Sequence, residues 1–594
     1  MIKERLSKLR DLMKKYNITV YLIPGVDPHQ SEYLPELWKR RHWISGFTGS
    51  AGDVVVTLDK AGLWTDSRYF LQAEEQFKGS TIDLFKVGLP ETPSIEKWLY
   101  DNLTENDVIG FDPYLMTFSY FNELKSILDK KNIKLKSIDE NLVDIIWTDQ
   151  PDLPSDKVYL HDIKYSGEST QDKIKKIQKK LEELNQDVHI ISSLDSIAWL
   201  YNIRSNDILY TPVVISYAAI EKDNAKLFVK LSKIDEATKK ELGKDIQLYD
   251  YYEFSNYLKE INQKKLNVFL DKATATYKMV ETLQNCNLYF AESPIVLFKA
   301  IKNDIQIEGF KNSHIRDGVA MVKFLYWLKN NIEKEKITEI SASEKLKEFR
   351  AQQELFVDLS FETIAGYKEH GAIVHYTSSK ETDVELKREG IFLIDSGGQY
   401  LDGTTDITRT IALGEPTSEQ KKMFTLVLKG HIDLAITSFP VGTVGKQLDT
   451  IARKPLWDNG LNYGHGTGHG VGHFLGVHEG PHAISFYRCK GDALVPGMIT
   501  SNEPGFYKAG EYGIRIENLV YVTEDRDKSS DEFKFYKFEN LTMCPIDLNL
   551  IDKSLLNKEE IDYLNKYHKE VYEKLSPFLN EEEKNWLKEK TRAI

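Results

Sequence analysis

The sequence has little cysteine, no long apolar run and no excess of positive charge, and each shortage narrows what the chain can be. Only Cys286, Cys489 and Cys544 occur in 594 residues. Odd in number and widely spaced, they leave neither a disulfide framework nor a CxxC metal site readable, which fits a reducing compartment. No apolar stretch approaches the roughly 18 residues of a membrane span. The opening MIKERLSKLRDLMKKYN has no apolar core of a signal peptide; Leu6, Leu9 and Met13 fall at helical spacing and predict a core-packed first helix. A cytoplasmic protein without a membrane partner is expected. With 78 basic against 91 acidic residues and a net charge of -13, the chain is poorly suited to the phosphate backbone of nucleic acid.

The composition is that of a folded protein, 41% hydrophobic and 28% charged, and the length exceeds the roughly 250–300 residues at which one core stops growing. Two or three domains follow, and the expected class is α/β (α+β). Residues 1–150 alternate helical stretches with the strands VYLIP, GDVVVTLD, AGLWTD and VIGFDP. The segment WTDQPDLPSDK, at 147–157, reads as a linker. Residues 151–299 repeat the rhythm: a helix in STQDKIKKIQKKLEELN, then strands in DVHIISS, SIAWLYNI, PVVISYAAI, AKLFVKL and LNVFLD. The tripeptide WTD occurs in both parts, too short a match to argue duplication. From 300 to 594 the texture changes: two long helices, then short glycine-rich strands that hold the chemically suggestive residues, then a polar closing helix, KEEIDYLNKYHKEVYEKL.

Four segments of this last part stand out. In GIFLIDSGGQYLDGTTDITRT the strand IFLI delivers Asp395, and a turn at Asp402-Gly403 precedes Asp406, so a hairpin brings both aspartates toward one cavity. GHGTGHGVGHFLGVHEGPH, at 464–482, carries five of the fourteen histidines. His465 and His469 have the one-turn spacing of a helical HExxH site, but five interleaved glycines would each cost about 1 kcal/mol in a helix. Period two fits better. It puts His465, Thr467, His469, Val471 and His473 on one face and bare glycine backbone on the other, open to another strand or a ligand. The last two segments, PGMITSNEPGFY and YGIRIENLVYV, place Glu503 before a Pro-Gly turn and Glu517 on a strand two residues beyond Arg515. Any one of these residues alone is an ordinary turn, surface or ion-pair residue. Together, two aspartates, two glutamates and an imidazole make an oxygen-rich metal site, suited to hard divalent cations and too large for one catalytic zinc.

The order Asp, Asp, His, Glu, Glu resembles the two-metal pita-bread metallopeptidases, which include methionyl aminopeptidase, prolidase and aminopeptidase P. IDSGGQYLDGTTDITRT, HGTGHGVGHFLGVHEGP, SNEPGFY and GIRIEN, with PGVDPHQSEY, SGFTGSAG, LWTDSRYFLQA and LDSIAWLYNIRSNDI upstream, are most similar to its three-domain cytosolic Xaa-Pro aminopeptidases along essentially the whole chain. The resemblance implies two creatinase-like N-terminal α/β domains (1–150 and 151–299) and a catalytic pita-bread domain (300–594). It implies Asp395, Asp406, His469, Glu503 and Glu517 as ligands of two divalent ions, usually Mn²⁺, with Asp406 and Glu517 bridging. Glu503 is implied as general base, and His375, in GAIVHYTSS, with His465 and His478 as substrate-binding or proton-shuttling groups. Arg515 is placed with the substrate-binding residues, and His473 and His482 are given structural places. The implied reaction releases the N-terminal residue of a peptide with proline second, by attack of a hydroxide bridging the two ions, and the implied assembly is a homodimer. Prolidase is the nearest alternative; a metal-free pita-bread binding module is a more remote one.

Overall fold

The computed structural model describes residues 1–486 and 492–594; Cys489 lies outside the described residues. The chain divides into two compact units, residues 1–161 with 168–295, and residues 162–167 with 296–594. Among the described residues no helix is long and apolar enough to cross a membrane.

The first unit opens with a helix, Ile2–Lys15, whose buried residues are Leu6, Leu9 and Met13. They pack with Ile18, Tyr21, Val54 and Val56, a gain of about 1.5–3 kcal/mol for each large side chain removed from water. The core they close over is a six-stranded sheet of β1 (Val20–Ile23), β2 (Asp53–Thr57), β3 (Ala61–Thr65), β4 (Asp83–Lys86), β5 (Val108–Phe111) and β6 (Lys134–Ser137), in the order β4-β3-β2-β1-β5-β6. A second sheet follows: β7 (Val188–Ile191), β8 (Ser216–Glu221), β9 (Ala225–Val229), β10 (Gln247–Tyr249), β11 (Asn267–Asp271) and β12 (Asn287–Ala291), ordered β10-β9-β8-β7-β11-β12.

The two sheets repeat one design. Each centres on a strand (β1, β7) antiparallel to the next strand in sequence and parallel to the one across. Each ends in parallel pairs at both edges. The rhythm read from the sequence is therefore a topological repeat, although the two WTD tripeptides are not equivalent: one ends β3, the other follows the helix Leu142–Ile146. One expected strand is a helix. SIAWL lies in Leu194–Leu200, where six of seven residues are buried, so burial on nearly all sides erased the helical period and left a short apolar run that periodicity cannot assign.

The second unit begins with the helix Asp304–Asn331, capped at Asn303 by a reciprocal box with Gln306. Its Met321, Val322, Phe324 and Leu328 share one core with Phe392, Ile394 and Ile407. A three-stranded sheet holds β13 (Ile364–Tyr367), β14 (Ile391–Ser396) and β15 (Ile407–Ala412), with β14 central. A six-stranded sheet runs from Phe439–Pro440 through β20 (Phe535–Asn540), β19 (Asn518–Glu524), β18 (Ile499–Asn502) and β16 (Gly468–Gly470) to β17 (Glu479–Ile484). The polar helix expected near the end, Lys558–Leu575, buries Leu564, Tyr567, Val571 and Leu575, and a last helix, Glu581–Lys590, follows it. Strands β14, β15, β16, β18 and β19, or the residues just beyond their ends, carry the acidic and imidazole groups described next.

Candidate active site

The hairpin expected around Asp402-Gly403 is present. In it β14 and β15 pair antiparallel with Asp395 opposite Thr408, and Asp406 lies just ahead of β15. Glu517, at the start of β19, donates its backbone N–H to Thr408 O at 3.1 Å and accepts the Thr408 hydroxyl on Oε2 at 2.8 Å. Glu503 follows β18 and is fixed by its backbone N–H on Thr467 O at 2.8 Å. His469 sits in β16, its Nε2 3.4 Å from Asp406 Oδ2 and 3.6 Å from Glu503 Oε1. Donor atoms of Asp406, His469 and Glu517 lie within 4.8 Å of one another.

Three buried carboxylates, Asp395, Asp406 and Glu517, and the half-buried Glu503 are thus gathered around one imidazole and one guanidinium. Burial raises Asp395 to about 6, aided by the charge of Asp406 against the pull of Arg515. Burial likewise raises Glu503 to about 7, and holds Glu517 well above the carboxylate range, reinforced by Asp406, Asp395 and Glu503. For His469 burial opposes the charged ring, but Asp406 and Glu503 outweigh it and lift the ring to about 9. Oδ1 of Asp395 is buried with no hydrogen-bond partner. An acidic cluster so repelled, with an orphan oxygen in it, fits cations rather than an apoprotein at rest. Oxygen donors with one imidazole are the set a pair of hard divalent ions takes.

The expected strand over 465–473 is corrected. Only Gly468–Gly470 is extended; the pairing shifts register between His469 and Gly470, and Phe474 turns the chain at φ 49°. The glycine face is not open to a ligand at these strand positions. A Cβ on Gly468 would sit 2.0 Å from Ser501 O, and one on Gly470 2.2 Å from Glu479 O, so the protein's own neighbouring strands occupy that face.

The five histidines accordingly separate. The ring of His478 lies 4.4 Å from that of His469, edge to face. His465 contacts Gly466 O through Nδ1 at 2.7 Å and the Tyr507 hydroxyl through Nε2 at 2.7 Å. With Nδ1 donating to the carbonyl, Nε2 accepts from the phenol. His473 is buried, its ring 5.5 Å from that of Phe310. His482 is buried on Ile499 O at 2.7 Å, and burial pushes it down to about 4. His375 lies in a separate loop, whose Val374 carbonyl accepts from Arg515 Nη2 at 3.4 Å.

Arg515 and Glu517 do not share the expected strand, because one strand ends at Arg515 and the next, β19, begins at Asn518, and the two side chains do not pair. Arg515 donates from Nη2 to Asp395 Oδ2 at 2.7 Å, from Nη1 to the Tyr507 hydroxyl at 2.6 Å and from Nε to the Thr408 hydroxyl at 3.1 Å. Tyr507 and Thr408 escaped the reading of the sequence. A signal for Tyr507 was present: GFYK and YGIR flank a glycine turn, and the hairpin they form pairs Tyr507 with Gly513, a diagonal neighbour position to Arg515 on the same face.

Comparison with known proteins accounts for the whole chain. Residues 308–524 match the model of metallopeptidase family M24 and 534–594 that of the C-terminal region of this family, while 5–145 and 149–306 each match a creatinase/prolidase N-terminal domain. A probable Xaa-Pro aminopeptidase P of Laccaria bicolor is 42% identical over 97% of this chain and 91% of its own. Xaa-Pro aminopeptidase 1 of Dictyostelium discoideum is 39% identical over 100% of this chain and 97% of its own. The chain belongs to the Xaa-Pro aminopeptidases of metallopeptidase family M24. The crystal structure of the X-prolyl aminopeptidase of Caenorhabditis elegans, described as a cytosolic enzyme with a di-nuclear active site, superposes with a TM-score of 0.96 at 37% identity, covering 100% of both chains. The M24 chain therefore has the creatinase-like N-terminal domains and pita-bread domain of its relatives, and its buried carboxylate cluster lies within the M24 segment.

Proposed function

We propose that the protein releases the N-terminal residue from peptides whose second residue is proline, with Asp395, Asp406, His469, Glu503 and Glu517 holding two divalent ions. The observation that carries this is the cluster of Asp406 and Glu517 around His469, with Asp395 buried and Glu503 half-buried beside them, in a chain whose relatives are named for the activity. Asp406 and Glu517 would each serve both ions, and manganese is the ion we assign. When bound, the pair would supply a hydroxide nucleophile near neutral pH and polarise the scissile carbonyl.

The chain's own residues do the rest. Glu503 takes a proton from the attacking water and later delivers it to the departing proline nitrogen. His478, beside His469, and His375 donate to the oxyanion as it forms. His465, whose ring is fixed between Gly466 O and Tyr507, binds the peptide or relays a proton. Arg515 acts on substrate through its partners: with Asp395, Tyr507, Thr408 and the Val374 carbonyl taking four of its five N–H donors, it orients a ligand, His465 and the His375 loop. A peptide bond to proline nitrogen has no N–H, so a site that asks for no donor there and grips the pyrrolidine ring would favour this substrate over ordinary peptides.

Loaded with Mn²⁺, the protein should hydrolyse Arg-Pro-Pro in preference to Arg-Ala-Ala. Preference for the alanine peptide would overturn the specificity. Cleavage confined to dipeptides would turn the reading to prolidase. A homodimer in the cytoplasm is the assembly and place we assign, the former checked by light scattering of the purified protein.

A further inference from the structure

The loop that carries His375 is fastened on both sides of that residue. Before it, the Val374 carbonyl accepts from Arg515. After it, the Tyr376 hydroxyl donates to Glu339 Oε2 at 2.9 Å and lies 3.1 Å from Thr382 Oγ1. The Tyr376 ring is buried with Ile364 and Leu393. Leu393 is on β14, the strand that presents Asp395, and Ile364 pairs with Asp395 itself.

Glu339 is fully buried at the first turn of the helix Glu339–Ala351. Besides Tyr376 it accepts the Tyr367 backbone N–H at 2.8 Å and the His370 ring through Nδ1 at 3.0 Å. The His370 ring stacks on that of Tyr376, centroids 4.4 Å apart. A carboxylate wholly out of water is tolerated only with such partners and a helix N-terminus beside it, and all three donors come from the segment 367–376 that leads into His375. Beyond it the chain returns to the surface, with Thr377, Lys380 and Glu381 exposed. Without the Tyr376 anchor, His375 would sit at the root of an ordinary surface loop.

We propose that Glu339 and Tyr376 are positioning residues for His375, fixing its imidazole for the reaction from outside the set of metal ligands. The proposal rests on the role given above to His375. Tyr376→Phe removes the hydroxyl and leaves the ring in its apolar setting. With Mn²⁺-loaded protein and Arg-Pro-Pro, kcat should fall about tenfold, the order expected when a reacting group is loosened, while KM and bound metal stay near their original values. Glu339→Gln should shift kcat in the same direction.

The deciding measurement is a double-mutant cycle. In a His375→Ala background, Tyr376→Phe should cause no further loss. An undiminished loss there would overturn the proposal, since the hydroxyl would then be acting on the fold at large. An unchanged kcat in Tyr376→Phe beside a crippled His375→Ala would overturn it alone. A silent His375→Ala would overturn the role of His375 and the proposal with it.

Discussion

The second sheet of the first unit and the carboxylate site of the second unit both bury charge, but they treat it differently. Around the second sheet the buried ionisable groups find their partners within the protein. Lys233 pairs with Asp207, both side chains essentially out of water; burial pushes the acid up and the amine down, and each draws the other back toward its charged form. Lys173 donates to Trp199 O and Asn202 Oδ1 at 2.9 and 2.6 Å. His189 lies between Phe269 O and Ser293 Oγ at 3.1 and 2.8 Å. In the candidate site, by contrast, Asp395, Asp406, Glu503 and Glu517 repel one another, and Arg515 with His469 offsets only part of that repulsion. The matched set stabilises a frame. The mismatched set is a local conflict tolerated in one place, the mark of a site whose missing partners arrive from outside.

The contrast breaks most visibly if a ligand of the cations is removed. His469→Ala should lower turnover by at least about 10³-fold, the scale of a lost catalytic metal site, and lower bound metal in parallel. His478→Ala, one ring away, should lower turnover by about 10²-fold, the scale of a lost proton donor, with metal retained. Turnover and metal analysis by mass spectrometry on the same samples separate the two. Equal metal loss in both would mean that the two histidines share one role.

How far this division could be read from the sequence depends on the kind of contact. Asp395 and Asp406 were legible because a strand, a turn and a second strand follow one another within a few residues, and local chemistry dictates that hairpin. The extent of β16 was not. A period-two pattern over 465–473 describes an isolated strand, whereas a register shift against β17 and the turn at Phe474 decide where extension stops. The role of the glycines was ambiguous for the same reason: Gly468 is required by Ser501 O, thirty-three positions away in sequence. Arg515 illustrates the limit most clearly. Its neighbour Glu517 is two residues off, yet its partner is Asp395, 120 positions distant, and only the assembled sheets bring them together. The helix at SIAWL was hidden by its own burial.

Proton linkage sharpens the comparison at a smaller scale. In the metal-free protein His469 holds its proton up to about pH 9, Glu503 to about 7 and Asp395 to about 6. These three groups thus hold more protons in the folded form than in the unfolded chain, and the stability they contribute is lost as pH rises from about 4.5 to 9. Metal ions must displace those protons. Apparent affinity for Mn²⁺ should therefore increase with pH from 6 toward 9, by about tenfold per pH unit for each proton released, and level off above. Competition titrations with a chromophoric chelator at fixed ionic strength would measure it. An affinity flat across that range would mean the cluster is already ionised without metal, and the contrast with the matched pairs would lose its basis.

The most delicate test sets one isosteric change in each unit against the other. Glu517 is buried and repelled by three carboxylates, and its Oε2 accepts the Thr408 hydroxyl. Glutamine keeps that acceptor and the shape while removing the ionisable group, so Glu517→Gln should stabilise the metal-free second unit near neutral pH, where the displaced carboxyl otherwise has to hold a proton. Metal binding and turnover should be lost together. Asp207→Asn in the first unit should do the reverse: Lys233 is left buried without its counter-ion, and stability falls. Calorimetry of both variants after chelation reads the two signs directly. Were Glu517→Gln to destabilise as Asp207→Asn does, the carboxylate would be part of the frame, and the conflict attributed to the site would have been resolved by the protein alone.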